Sequence, residues 1–195
     1  MSKQQLMDEL YSEIRVCRKC RLWINANKAV LGEGNLNASI MFIGEAPGYT
    51  EDLKGRPFVG RAGKVLDELL TGINIKREDV YLGNLIKHRP KKNRDPRADE
   101  INACAPYLNR QIQIIKPKIV ITLGRHSTKY LLSKVNVRFS RITDIRGNIY
   151  KKRYLGIPMT IMPTLHPAAT LNNNKYMPFL KKDFQKLKRF FKESD

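Results

Sequence analysis

Four side chains in this sequence have the chemistry to bind and transform a small ligand. Glu45, Asn84 and His166 each follow or end an apolar run typical of a buried strand, and Phe58 stands in a loop rich in glycine and proline. An asparagine can read the edge of a nucleobase, and an aromatic ring can stack on it. A histidine can donate to an oxygen that gains negative charge, and a carboxylate can orient water or stabilise a cation. These residue types predict a base-binding site.

Strands are needed to position these groups, and the chain has four short apolar segments that alternate with helical patterns. The predicted strands are residues 39–43, 80–86, 118–124 and 159–162. The predicted helices are residues 3–16, 61–72, 99–115, 124–132 and 175–192, the last with Leu180, Phe184, Leu187 and Phe191 on one face. Residues 138–155 alternate weakly and predict a ragged hairpin that turns at Gly147-Asn148.

Alternating strands and helices predict a parallel sheet with helices on both faces. We therefore expect one domain over residues 1–195, a three-layer α/β/α sandwich with a central, mainly parallel four-stranded sheet. In such a sheet the carboxyl ends of the strands lie along one edge, where small ligands bind. We expect the strand-end groups to meet at that edge; they are Glu45 with Phe58, Asn84, Gly124 and His166.

The segment 44–63 is predicted to be a long functional loop. Glycine or proline recurs at positions 47, 48, 55, 57, 60 and 63, which lets the backbone approach a ligand and stiffens the loop. Structureless loops of this length inside a compact domain are usually functional. The pair Gly63-Lys64 does not end a phosphate-binding GxxxxGK[ST] loop, because the chain has Phe58 and Val65 where that pattern needs glycine and Ser or Thr.

The charge of the chain indicates a polyanionic partner. It has 37 Lys and Arg against 18 Asp and Glu, a formal net charge of +19, and nucleic acid is the simplest partner for such an excess. A membrane surface is the other option, weakened because basic residues lie in loops, such as 87–97, as well as on helices. The sequence has no apolar run near the ~18 residues of a membrane span and no secretory signal at residues 1–10, so we expect a soluble, intracellular protein of the cytoplasm or nucleoid.

The chain has three cysteines, Cys17, Cys20 and Cys104. An odd number in a chain of intracellular type argues against a disulfide framework and favours metal ligation or burial. Cys17 and Cys20 form a CxxC pair flanked by Arg and Lys, which is unlike a core segment.

Several motifs together resemble the family 4 uracil-DNA glycosylases. The run Gly44-Glu-Ala-Pro-Gly48 followed by Gly55-Arg-Pro-Phe-Val-Gly-Arg-Ala-Gly63 is similar to the family's first motif, and Tyr81-Leu-Gly-Asn-Leu-Ile-Lys87 to the strand that carries its uracil-reading asparagine. The further matches, in order and spacing, are Asn93-Arg-Asp-Pro96, Ala103-Cys-Ala-Pro-Tyr-Leu108, Ile121-Thr-Leu-Gly124 and His166-Pro-Ala-Ala169. The resemblance extends from Cys17 to the last helix.

The resemblance implies hydrolysis of the N-glycosidic bond of deoxyuridine in DNA after the base is flipped into a pocket. It implies that Phe58 stacks on uracil, Asn84 binds its polar edge, and His166 stabilises the uracil anion as it leaves. Glu45, between Gly44 and Ala46 of the same pocket, would position water and balance the sugar cation. Leu171 would fill the vacated base stack, although Asn172 replaces the basic residue that the family often has beside it. The basic loop would contact phosphates through Arg89, Lys91, Lys92 and Arg94.

The family also carries a structural [4Fe–4S] cluster on four cysteines, and this chain departs from that pattern. Cys17, Cys20 and Cys104 match three ligands, but His88 stands at the fourth, in the family's Lys-x-Arg-Pro frame. The resemblance implies a cluster with His88 as its fourth ligand, because imidazole can ligate cluster iron. A three-iron or metal-free site and a Cys₃His zinc site are the alternatives.

Three other functions remain open from the sequence. They are a non-catalytic nucleic-acid-binding protein, a redox-sensing iron–sulfur protein, and a glycosylase of the same superfamily with another base preference. The presence of Glu45, Asn84 and His166 argues against the first. The partner expected from the resemblance is uracil-containing DNA, bound by a monomer and not by a membrane-associated protein.

Overall fold

A computed structural model describes residues 1–192, with side chains described as far as Arg189. At its centre lies a six-stranded sheet. In chain order the strands are β1 (Glu33–Gly34), β2 (Ile40–Gly44), β3 (Tyr81–Asn84), β4 (Ile119–Leu123), β5 (Tyr150–Tyr154) and β6 (Ile157–Thr164). Their order across the sheet is β1-β3-β2-β4-β6-β5. The four inner strands are parallel to one another, and the two outer strands are antiparallel to their neighbours.

The expected four-stranded sheet is thus correct for the parallel centre but wrong in strand number, because the sheet is mixed and has two additional outer strands. β1 has only two residues, too few to give a periodic pattern. β5 has the sequence Tyr-Lys-Lys-Arg-Tyr, which lacks an apolar face that a sequence pattern would reveal. Lysines on such an outer strand discourage pairing with other chains.

The predicted hairpin is also placed differently. β5 and β6 form it, and Tyr154 pairs with Ile157 across a two-residue turn at Leu155-Gly156. Both turn residues have positive φ, 51° and 79°, as a tight hairpin turn requires. The expected turn at Gly147-Asn148 was wrong: Gly147 follows a short helix, and its N–H donates to the carbonyl of Pro163.

Helices cover both faces of the sheet. They are α1 (Lys3–Arg15), α2 (Tyr49–Lys54), α3 (Arg61–Thr71), α4 (Ala98–Ile115), α5 (Arg125–Ser133), α6 (Ile142–Ile145), α7 (Ala168–Asn172) and α8 (Met177–Lys192). Single 3-10 turns lie at Arg21–Asn25, Arg77–Asp79, Lys91–Asn93 and Asn174–Tyr176. α2 falls in the loop expected to be structureless, and the predicted apolar contact of Phe191 lies outside the described side chains.

Alternate side chains of β2 enter two separate cores, which defines the three layers. Met41 and Ile43 pack on one face with α1, α4 and α5. Ile40 and Phe42 pack on the other face with α3 and α8, where the rings of Phe42 and Phe184 stack with centroids 5.8 Å apart. The expected α/β/α arrangement is confirmed. Among residues 1–192 no helix is long and apolar enough to cross a membrane.

Candidate active site

The carboxyl ends of the parallel strands open into a cavity of about 440 Å³. Its lining includes Glu45, Phe58, Asn84 and His166, so the structure brings all four predicted groups together. They meet because β2, β3, β4 and β6 run in the same direction, so that loops far apart in sequence begin at one edge. Small-ligand sites commonly have cavities of this size, with a few polar groups in an otherwise apolar wall.

Gly44 allows the amide and the aromatic ring to approach each other at the base of the cavity. It pairs with Asn84 across β2 and β3. A Cβ at position 44 would lie 2.4 Å from the Asn84 Oδ1 atom and 2.6 Å from the Phe58 Cζ atom. Any larger residue here would therefore push into both groups. Asn84 is only 3% exposed, so its side chain is fixed rather than free in solvent.

The backbone of the Phe58 loop is held from two sides. Phe58 has φ of 51°, a conformation that non-glycine residues rarely adopt. The guanidinium of Arg77 donates to the carbonyls of Pro57 and Phe58, at 2.7 and 3.1 Å. It also pairs with Asp67 on α3 at 2.8 Å. Arg77 thus fixes the direction in which the ring points, and sequence reasoning missed it because no local pattern links residue 77 to this loop.

Glu51 is a second residue that holds the Phe58 loop and that sequence reasoning missed. It is buried on α2, and its Oε1 atom accepts hydrogen bonds from the N–H groups of Val59 and Gly60, at 3.0 and 2.7 Å. Gly60 immediately precedes α3, so the carboxylate also lies at the favourable N-terminal end of that helix. The loop is therefore ordered by a carboxylate on one side and a guanidinium on the other. A carboxylate within a loop segment was the only sequence signal for Glu51.

Glu45 directly follows β2 in the chain, and its side chain lies beside the first turn of α5. Its Oε1 atom accepts a hydrogen bond of 2.7 Å from the backbone N–H of His126. Burial raises the pKa of Glu45, while the His126 amide opposes that rise. Gly124, with φ of 96°, makes room for this carboxylate, because a Cβ there would lie 2.6 Å from the Glu45 Oε1 atom.

His166 is held in one tautomer. Its Nδ1 atom accepts a hydrogen bond of 3.1 Å from the backbone N–H of Ala168. Burial lowers the pKa of His166 to about 4, so the ring is neutral near pH 7. A neutral imidazole that accepts at Nδ1 carries its proton on Nε2. The ring lies 6.1 Å from that of Phe58, centroid to centroid, and is tilted by 24° from it.

The predicted DNA-contacting residues lie near the cavity mouth but differ in what they contact. Lys91 and Lys92 are exposed. The Arg89 guanidinium lies 5.0 Å above the Tyr49 ring, and its Nε atom donates to Asn93. Leu171, on α7, lines the cavity and is 37% exposed.

Arg94 lines the cavity with a side chain that is 33% exposed, and it is also paired within the protein. It donates two hydrogen bonds, of 2.6 and 2.8 Å, to the buried carboxylate of Glu100 on α4. This pairing holds the pKa of Glu100 below its usual value. Arg94 thus braces the basic loop on α4, because a buried carboxylate needs its charged partner, and its contact with a phosphate stays a prediction.

The three cysteines lie at the junction of α1, α4 and the segment after β3. Cys104 is buried, and its sulfur accepts a hydrogen bond of 3.1 Å from the backbone N–H of Lys87. Burial raises the pKa of Cys104 to about 11, and the neighbouring thiols of Cys20 and Cys17 add to this rise. His88 is also buried. The part of the chain that the structure describes contains no group of three or more His, Cys, Asp or Glu arranged to hold a metal ion.

The sheet and its edge cavity define the class of this protein: an α/β fold with a cavity at the carboxyl ends of its parallel strands. The family model described as Uracil DNA glycosylase superfamily matches residues 31–192. A Type-4 uracil-DNA glycosylase of Saccharolobus solfataricus is 51% identical over 183 residues, which are 93% of this chain and 85% of the relative.

Two other relatives carry the same description. A Type-4 uracil-DNA glycosylase of Thermotoga maritima is 40% identical over 194 residues, 98% of each chain. One of Archaeoglobus fulgidus is 40% identical over 181 residues, 93% of this chain and 91% of the relative. The chain belongs to the uracil DNA glycosylase superfamily, and the resemblance drawn from its motifs is confirmed.

Proposed function

We propose that this protein removes uracil from DNA by hydrolysing the N-glycosidic bond, leaving an abasic site for repair. One observation carries the proposal: a buried amide, a stacking ring and a neutral imidazole with a free N–H group line the same cavity. That combination recognises a pyrimidine ring by its polar edge and its face, and also stabilises the ring as it leaves. We infer that residues 1–195 act as one domain and as a monomer, inside the cell.

The first step is binding of the flipped base. A base inside a duplex cannot be reached, so the enzyme must rotate it out of the stack. Phe58 offers its ring face to uracil, and Asn84 offers a donor and an acceptor to the uracil edge. Because the loop of Phe58 is held by Arg77 and Glu51 before binding, little order has to be gained when the base arrives.

Bond cleavage then leaves negative charge on the uracil ring and positive charge on the sugar. The Nε2–H group of His166 donates to the uracil oxygen that gains charge. A neutral donor is suited to this role, since it stabilises the anion without having to carry a positive charge in a buried site. One such preorganised donor is typically worth about 10²–10³ in rate.

Glu45 is assigned to the water and the sugar. The amide of His126 fixes its Oε1 atom, and we assign its Oε2 atom to the attacking water. The carboxylate also balances the developing sugar cation through its negative charge. Lys91 and Lys92 would contact phosphates beside the cavity, and Leu171 would fill the space that the base vacates.

We propose further that Cys17, Cys20, Cys104 and His88 bind a structural [4Fe–4S] cluster. Thiolates and imidazole are established cluster ligands. Two observations support this proposal: Cys17 and His88 line one cavity, and the Cys104 sulfur accepts a hydrogen bond from the residue before His88. When bound, the cluster would cross-link the end of α1 to the basic loop and α4.

Iron, sulfide and zinc content of the purified protein test the cluster. We expect iron and sulfide in equal amounts, with visible absorbance. His88→Cys should retain the cluster because it completes four thiolates, and His88→Ala should lose iron. Zinc without sulfide would establish the zinc site instead, and protein that lacks both metals yet is thermally stable would contradict any resident metal.

The central experiment measures base release from an oligonucleotide with a single uracil, beside the same oligonucleotide with thymine, hypoxanthine or cytosine. We expect release of uracil alone. Asn84→Ala and His166→Ala should each slow release strongly while leaving DNA binding largely intact. Wild-type rates in both variants would refute the roles assigned to Asn84 and His166. Release of another base would show that uracil is not the only substrate. No release from any substrate would favour a binding protein.

A further inference from the structure

Lys87 is buried although it is a residue type that ordinarily lies in water. It follows the end of β3 by three residues and is only 1% exposed. Lysine is almost never fully buried unless it is paired, and among residues 1–192 no ion pair includes Lys87. Burial of a polar group is costly unless its hydrogen bonds are made. The role of this lysine must therefore be sought in the acceptors that it contacts.

The Lys87 amino group has two acceptors in the protein. Its Nζ atom donates to the backbone carbonyl of Asn84 at 2.8 Å and to the Oε1 atom of Gln111, on α4, at 2.7 Å. Gln111 is itself 0% exposed. Its Nε2 atom donates to the carbonyl of Leu31 at 2.6 Å and to the hydroxyl of Tyr81 at 2.9 Å. A buried chain of hydrogen bonds thus runs from Asn84 to α4 and to the segment before β1.

These contacts lie where the pairing of β3 with β1 ends. β1 has only two residues, and its first, Glu33, pairs with Leu82. Extending this register by two residues would place Leu31 opposite Asn84, where β1 no longer exists. The carbonyls of both residues accept instead from the glutamine amide and the lysine amino group. Because a buried carbonyl without a donor is costly, the two side chains complete the sheet edge at the residue that faces the base.

The peptide group between Asn84 and Leu85 is therefore held on both sides. Its carbonyl accepts from Lys87, and its N–H donates to the carbonyl of Gly44 on β2 at 2.9 Å. Lys87 is fixed in turn, because its own N–H donates to the Cys104 sulfur at 3.1 Å. A peptide group that is held at both of its polar atoms cannot rotate freely, and its orientation determines where the Asn84 side chain begins.

We propose that Lys87 is a positioning residue for base recognition. Through the Asn84 carbonyl it fixes the direction in which the Asn84 amide meets the base, and Gln111 holds the lysine in place. This inference rests on the proposed function, because it takes Asn84 to bind the polar edge of uracil. An amide that is rotated loses both its donor and its acceptor contact, since hydrogen bonds weaken steeply with angle. Stacking on Phe58 tolerates such a rotation better.

Lys87→Met tests the role directly. Methionine keeps a side chain of similar length without the amino group, and the backbone contact with Cys104 does not depend on it. Single-turnover uracil release should slow by about ten- to a hundredfold, which is what a hydrogen bond to a charged group is typically worth. The affinity for free uracil, measured by calorimetry, should fall as well. The affinity for a thymine-only duplex should stay at the wild-type value, because the buried side chain does not reach the DNA surface.

A double-mutant cycle distinguishes positioning from a general structural role. In an Asn84→Ala background the amide that Lys87 positions is absent. Adding Lys87→Met should then change the release rate by less than about twofold, whereas two independent losses would multiply. Melting temperature and metal content are recorded for each variant, so that a loss of fold is separated from a loss of position.

A second pair of variants moves the lysine without replacing it. Gln111→Leu removes the acceptor on α4, so release should again be slow, and Gln111→Glu should recover most of the rate because a carboxylate still accepts from the Nζ atom. The matched control is Tyr154→Phe. It removes a buried hydroxyl that donates to Asn109, also on α4, at 2.7 Å, and it should release uracil at the wild-type rate.

Three results would overturn the inference: wild-type release by folded Lys87→Met or Gln111→Leu, losses that multiply in the Asn84→Ala background, or equal slowing by Tyr154→Phe. Absence of release by the wild-type protein would instead refute the proposed function. The affinities for free uracil then decide the inference separately: weaker binding by Lys87→Met would support it, and equal binding, or none by either protein, would overturn it.

Discussion

Replacing Gly44 with alanine should damage the active site while sparing the fold. The added Cβ would lie 2.4 Å from the Asn84 Oδ1 atom and 2.6 Å from the Phe58 Cζ atom, whereas ordinary contact begins at 3.4 Å. The asparagine must therefore move by about 1 Å and the ring by slightly less. Both belong to the base-binding cavity, so the whole displacement falls on the groups that hold uracil.

A misplacement of this size can cost about 10²-fold in rate, which at 1.4 kcal/mol per tenfold is about 2.8 kcal/mol of transition-state stabilisation. The effect on folding should be small. Gly44 is not among the residues with positive φ, so alanine fits the strand backbone. Alanine also restricts the unfolded chain, which contributes about 0.4–1 kcal/mol of stability and offsets part of the clash.

Single-turnover release of uracil and the thermal midpoint should be measured together for Gly44→Ala and a matched control, Gly83→Ala. Position 83 is on the neighbouring strand, and a Cβ there would lie 3.7 Å from Tyr81 and 3.9 Å from Gln111, which is ordinary contact. We expect the control to release uracil at nearly the wild-type rate. A Gly44→Ala protein that is equally fast and equally stable would refute the proposed packing of the cavity.

Three further changes test the remaining parts of the site. Burial raises the pKa of Glu45 above 4.5, so the rate of uracil release should fall as the pH drops through that raised pKa. Glu45→Gln should release uracil slowly, and its pH–rate profile should lack this fall at acidic pH. A fall that persists in the variant would show that another group titrates. Arg77→Ala removes two hydrogen bonds from the backbone of residues 57–58. The KM for uracil-containing DNA should therefore rise and the melting temperature should fall, with partial recovery in Arg77→Lys. An unchanged KM would mean that the loop is ordered without Arg77. Lys91→Gln with Lys92→Gln should weaken binding to all duplexes and lower its salt slope by up to about 1.8 at ~0.9 per phosphate, whereas an unaltered slope would exclude this loop from the interface.

The sequence predicted the centre of the sheet and its four site groups because strand ends carry a strong local signal. The apolar run before Glu45 and the run before Gly124 are recognisable on their own, and parallel order then implies a common edge. β1 was missed because it is very short. β5 lies within the predicted hairpin but was given the wrong turn and partner, because its polar sequence gives only a weak pattern. α2 was missed because it lies between Gly48 and Gly55, where frequent glycine and proline favour a loop prediction.

The residues that hold the site in place were harder to predict than those that form it. Arg77 and Glu51 act through backbone groups of the Phe58 loop, and such pairings depend on tertiary structure and leave no periodic pattern. The same limit explains Arg94. Among six basic residues in one loop, the sequence cannot indicate which one finds a buried carboxylate, and the structure pairs Arg94 with Glu100.

The parallel pairing of the inner strands also has a kinetic consequence. Gly44 pairs with Asn84, and Leu123 pairs with Thr164, each across about 40 residues of intervening chain. Contacts of such long range form late, because closing the loops costs entropy before the pairing is gained. During synthesis the chain therefore stays inactive until β6 and His166 have emerged. After dilution from denaturant, helical circular dichroism should return first, and uracil release should reappear only when β6 has joined β4.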